Sequence, residues 1–175
     1  MPDAITSRLD ATIARTVEGT RRALDAAGLD RDRLGHAPRI TLAVHPDDAP
    51  AHAPRATSAA RVAGWTALPV TLAGSGIFPS PPPVLWLAPV VAPASLDRHA
   101  AVQAMFPEMP SHAHHRVGAW IPHITPSDAP RDPAAALAVL LPRRRPLAGS
   151  LDRVDPVHFR PVEVLWTRPL RSDPS

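Results

Sequence analysis

The chain contains no cysteine, no lysine and no tyrosine, and only 4% of its residues are aromatic. Without cysteine, disulfides and thiolate metal sites are excluded, and nothing marks an oxidising compartment. Without lysine, all 19 basic residues are arginine, which accounts for an isoelectric point near 11.1 at a net charge of only +3. Attraction to a polyanion must therefore come from a local patch rather than from the whole surface. A long apolar run is also missing. The longest, Val84 to Ala94, is broken by Pro89 and Pro93 and is too short to cross a membrane. The first ten residues offer neither a basic nor an apolar signal region. A cytoplasmic protein with no membrane partner is expected.

What is present is proline, 24 residues of it, within a chain of 175 that is 45% hydrophobic. Between the prolines the apolar residues keep regular spacing, so proline punctuates a folded chain instead of marking disorder. The length suits one domain over 1–175, built as two small lobes that share a core.

Ile13, Val17 and Leu24 recur on a helical period up to Gly28, which predicts a helix over residues 10–27 with glycine as its stop. Ahead of it "DAITSRLD" alternates weakly and reads as a poor edge strand. "RITLAVH" alternates better, with Ile40, Leu42 and Val44 on one face and Arg39, Thr41 and Ala43 on the other. A second helix is expected from about Arg55 to Val62, and "ALPVTLAGSGIFPS" and "VLWLAPVVA" read as strands joined through "SPPP". Leu96 to Phe106 fits a helix capped by Ser95, and Pro133 to Leu141 a helix with proline in its first turn. Strands are expected in "HITP", "LAGSLDRVDPVHF" and "PVEVLWTRP". The strand and helix ingredients occur twice, as in an α+β protein of two similar lobes.

One short pattern also occurs twice: Pro-x-Ile-Thr, as Pro38 to Thr41 and as Pro122 to Thr125. Arg39 in the first copy stands where His123 stands in the second. Residues two apart on a strand share a face, so each pair can reach one bound group. Two such strands across a pseudo-twofold axis would flank one phosphate.

These stretches resemble the two-histidine (2H) phosphoesterases, and within them the bacterial 2′-5′ RNA ligase and RNA 2′,3′-cyclic phosphodiesterase branch. That family carries two His-x-Thr or His-x-Ser motifs. The likeness runs through "ALDAAGL", "PRITLAV", "PVTLAGSGIFPSPPPVLWLAPV" and "WIPHIT" in family order. It implies an α+β fold of two pseudo-symmetric lobes, each an antiparallel sheet with helices packed outside, and an active cleft between them. It also implies a monomer acting on an RNA or nucleotide phosphodiester, 2′,3′-cyclic or 2′-5′-linked, without cofactor or metal. The site residues implied are Arg39, Thr41, His123 and Thr125.

This sequence departs from the family where Arg39 replaces the first motif histidine and Pro126 follows Thr125. A guanidinium stays protonated, with a pKa above about 12, and cannot act as acid or base. It can hold a phosphate and stabilise charge developing on it. His123 would then be acid or base, alone or with a substitute partner, for which His36, His45 and His158 are candidates. A non-catalytic binder of a phosphorylated nucleotide or RNA end is the alternative, and a drifted cleft that binds nothing is a third.

Phe78 and Trp120, near turns or motif ends, are the aromatics placed to contact a base, whereas the others read as core. In "SHAHH", His115 and its neighbours form either a solvated loop or the mouth of the cleft, where His115 would contact substrate, and a metal site is disfavoured. Arg143 to Arg145 form either an RNA contact or a solvated turn.

Overall fold

The computed structural model describes residues 3–31, 34–45, 61–107, 111–141, 146–159 and 162–172. The helix expected from Arg55 falls almost wholly outside the described residues, and Arg143 to Arg145 fall outside entirely. In chain order the elements are β1 (Asp3–Leu9), α1 (Ala11–Ala26), β2 (Arg39–Val44), β3 (Leu68–Phe78), β4 (Val84–Pro89) and α2 (Pro93–Ala104). A 3-10 turn (Ala113–His115), β5 (Ile124–Ser127), α3 (Pro133–Leu140), β6 (Leu147–His158), β7 (Glu163–Val164) and β8 (Arg168–Pro169) follow.

Helix α1 begins where Asp10 caps it, Oδ1 accepting from the amides of Thr12 at 2.8 Å and Ile13 at 3.1 Å. It ends in a Schellman turn: Gly28, at φ 66°, donates to Asp25, and Leu29 donates to Leu24. Ile13, Val17 and Leu24 are buried along one stripe, each contributing about 1.5–3 kcal/mol. Oδ2 of the same Asp10 accepts from the Ser150 amide at 2.5 Å, which docks the helix start onto β6. Gly149 permits this approach. A Cβ there would lie 2.7 Å from Ile13 Cδ1 and would also press on the Asp10 carboxylate.

All strand pairs are antiparallel, in the order β2-β1-β6-β3-β4-β5, with β7 and β8 also on β6. The α+β architecture is as expected, but the two lobes do not keep separate sheets. Strand β6 is long enough to pair Leu147–Leu151 with β3 and Leu151–His158 with β1, so it joins them into one. The motif strands β2 and β5 are the two ends of that path, and they pack against each other. Helices α1 and α3 pack together, and α2 packs on β2. Among the described residues no helix is long and apolar enough to cross a membrane.

Three local expectations need correction. Strand β1 is not an edge strand: it lies between β2 and β6 and is almost wholly buried. Its polar residues are compatible with this because each has a partner. Thr6 Oγ1 donates to the Asp155 carbonyl and Ser7 Oγ to the Arg153 carbonyl, both at 3.0 Å, and Asp3 pairs with His158. In β2, a register shift opposite Ile5 and Thr6 turns Ala43 inward, so burial does not alternate cleanly. Helix α2 begins at Pro93 after Ala92, not at Ser95, because proline at the first position supplies the helical φ.

Candidate active site

Arg39 and Thr41 on β2, His123 just before β5 and Thr125 on it line one cavity of about 150 Å³. Arg21, Leu34, His36, Asp128 and Phe159 complete its wall. The two copies of the repeated motif therefore do face one space, as the pseudo-twofold argument requires.

His123 sits half-buried between this cavity and a second one of about 340 Å³, lined by Phe78, Val84, His114, His115 and Ile121. Its Nδ1 lies 2.7 Å from the Ile121 carbonyl and so carries the proton, which leaves Nε2 as the reactive nitrogen. The edge of Phe78 meets the imidazole at 5.0 Å and 79°. Burial lowers the His123 pKa below the usual 6.5, against the opposing pull of the Ile121 carbonyl.

Arg39 is only 7% exposed. Its Nε donates to the Ala37 carbonyl at 3.0 Å, while Nη1 is buried without a hydrogen-bond partner among the described residues. Burial lowers its pKa, Asp155 opposes that, and Arg8 and Arg21 add to it. Beneath it Arg8, opposite Arg39 in the β1–β2 register, holds the fully buried Asp155 through Nε at 2.6 Å. A buried guanidinium with a spare donor favours an incoming anion.

The two motif strands are tied to each other by side chains. Arg21 of α1 donates from Nη1 to the His36 carbonyl at 2.6 Å and from Nη2 to the Thr125 carbonyl at 3.0 Å. Trp120 donates from Nε1 to the Thr41 carbonyl at 2.9 Å and stacks on His99 at 4.2 Å. Ser127 Oγ donates to Asp30 at 2.6 Å, anchoring the end of β5 to the chain leaving α1. Trp120, expected to contact a base, thus braces β2 and is not among the residues lining either cavity beside His123.

Of the other expected residues, Phe78 and His115 line the second cavity beside His123. The His115 pKa is pushed down to about 3, first by burial and then by the neighbouring histidines. His45 is buried against Phe106 and His158 is paired with Asp3, whereas His36 reaches the motif cavity. Among the described residues no group of three or more His, Asp or Glu is arranged to hold a metal ion.

Residues 9–163 match the family model described as the 2′-5′ RNA ligase superfamily, nearly the whole chain. The chain belongs to the 2′-5′ RNA ligase superfamily. Solved structures agree with this membership in fold. The chain is similar to TT0787 of Thermus thermophilus, with a TM-score of 0.63, 19% identity and coverage of 99% of this chain and 100% of that one. It is similar to a structure described only as a phosphoesterase, at TM-score 0.60 and 15% identity over 97% and 98% of the chains. A third is Escherichia coli LigT complexed with NADP+, at TM-score 0.59 and 15% identity over 97% of each chain. No protein of curated function matches the sequence.

Arg21, Asp128 and Phe159 also line the motif cavity, and sequence reasoning missed them. Asp128 stands three residues after Thr125 and could have been found by extending the motif. Arg21 and Phe159 come from α1 and the end of β6, and no local pattern distinguishes them.

Proposed function

We propose that the protein is a phosphodiesterase of RNA ends or nucleotides, acting on 2′,3′-cyclic phosphates or 2′-5′ phosphodiester bonds without a metal ion. Membership of the superfamily supports the reaction class. The observation that carries the reading is that Arg39, His123 and both motif threonines line one cavity, with the Arg39 guanidinium buried and its Nη1 unpartnered among the described residues. Arg39 binds the phosphate and steadies charge on its oxygens, Thr41 and Thr125 donate hydroxyl hydrogen bonds, and His123 transfers a proton. The neighbouring cavity, with Phe78 at its edge and His115 in its wall, takes the base or sugar next to the phosphate.

A second reading, binding without turnover, is favoured by the same Arg39, since it cannot move a proton. Both readings require the phosphate contact. Arg39→Leu should therefore weaken binding of a nucleoside 2′-phosphate about 10- to 100-fold, the usual worth of a charged hydrogen bond. Titration calorimetry on the two proteins measures this. An affinity within threefold of wild type would remove Arg39 from the site.

A further inference from the structure

The superfamily reaction needs two proton transfers, and Arg39 can make neither. Among the described residues, His36 is the one histidine besides His123 found in the wall of the motif cavity. It stands three residues before Arg39, on the segment that leads into β2. Its Nδ1 lies 3.2 Å from the Ala37 carbonyl, as that of His123 lies near the Ile121 carbonyl. Both rings are thus held in the tautomer that leaves Nε2 unprotonated. The segment itself is fixed, because Arg21 grips the His36 carbonyl and the Thr125 carbonyl with one guanidinium.

We propose that His36 is the second proton-transfer group of this site, taking from the segment before β2 the role that the first motif position has lost to Arg39. This rests on the phosphodiesterase reading above. The surroundings of His36 assign its direction. Burial disfavours its protonated form most strongly, against the pull of the Ala37 carbonyl. Arg39 from β2 and Arg21 from α1 add to the effect of burial, and Asp128 beyond β5 opposes them weakly. His123 has no arginine among the groups that shift it. His36, whose carbonyl Arg21 grips and which shares the cavity wall with Arg39, stands by two guanidiniums that favour its neutral form, so within this proposal it serves as the base and His123 as the acid. Nε2 of His36 takes a proton from water as the water oxygen bonds to phosphorus. The bond from phosphorus to one ribose oxygen of the cyclic ester breaks, and protonated Nε2 of His123 gives that oxygen its proton. The products are a phosphate monoester and a free hydroxyl.

The test uses the full chain with cytidine 2′,3′-cyclic phosphate across pH 4–9. Both pKa values lie below the usual 6.5, so wild-type kcat/KM should pass through a maximum on the acid side of neutrality. His36→Ala and His36→Gln should each lower kcat about 10²- to 10³-fold with KM little changed, and should abolish the rising limb of the profile. A nucleoside 2′-(4-nitrophenyl phosphate), whose leaving group needs no acid, should restore turnover to His123→Ala but not to His36→Ala. Melting temperatures within a few degrees of wild type show that each variant folds, and the glutamine variant serves if the alanine one does not. Activity lost in His123→Ala but retained in both His36 variants, or a rising limb that persists, overturns the role of His36 and leaves the phosphodiesterase reading standing. Absence of wild-type turnover overturns both.

Discussion

His123→Ala is expected to lower kcat for a 2′,3′-cyclic nucleotide by about 10²- to 10⁴-fold, equivalent to roughly 3–5 kcal/mol of barrier. The change removes the one motif residue that can carry a proton, and Thr125, its partner in the motif, has no basic group to replace it. The structural cost is small. The imidazole is half-buried, makes one local hydrogen bond to Ile121, and touches Phe78 edge-on. KM should change little, because Arg39 and the threonines keep the phosphate. Steady-state kinetics with a thermal melt measures both quantities. A kcat within tenfold of wild type, in a protein that melts normally, would mean that the reaction does not pass through His123.

Asp155→Ala should be the most damaging substitution to stability, lowering it by about 3–5 kcal/mol. Asp155 is fully buried on β6, and the Arg8 guanidinium lies against it at 2.6 Å. It is also the anion that offsets the charge of Arg39. Truncating it leaves two guanidiniums near each other without the carboxylate that offsets them, in a site of low exposure. Pairing it with Arg8→Met would recover only part of the loss, since Arg39 would still lack its carboxylate. Urea denaturation of the single and double variants tests the scheme. A loss under 1 kcal/mol for Asp155→Ala would show that solvent screens this floor of the cavity.

The site is legible in the sequence to the extent that it is local. The repeated Pro-x-Ile-Thr identifies β2 and β5 and puts Arg39, Thr41, His123 and Thr125 in register, because a two-residue period on a strand fixes which side chains share a face. The period of Ile13, Val17 and Leu24 and the stop at Gly28 locate α1 for the same reason. What stays hidden depends on tertiary pairing. Strand β1 reads as a weak edge because Asp3, Thr6 and Ser7 are polar, yet each finds a partner on β6, about 150 residues away in sequence. Trp120 reads as a base-stacking residue and instead donates to Thr41. Arg21 gives no sign on its helix face that its two donors bridge the motif strands. His36 can be named from the sequence only as one candidate of three, and it is its place in the cavity wall that distinguishes it from His45 and His158.

A cleft with one motif histidine and one motif arginine should perform phosphodiester chemistry. The most direct measurement is turnover of cytidine 2′,3′-cyclic phosphate by the wild-type protein in EDTA, with a thermal melt on the same samples. The expected result is steady hydrolysis to a nucleoside monophosphate that EDTA leaves unchanged. A ligand-dependent rise in melting temperature without hydrolysis would contradict it and make the protein a binder of phosphate esters.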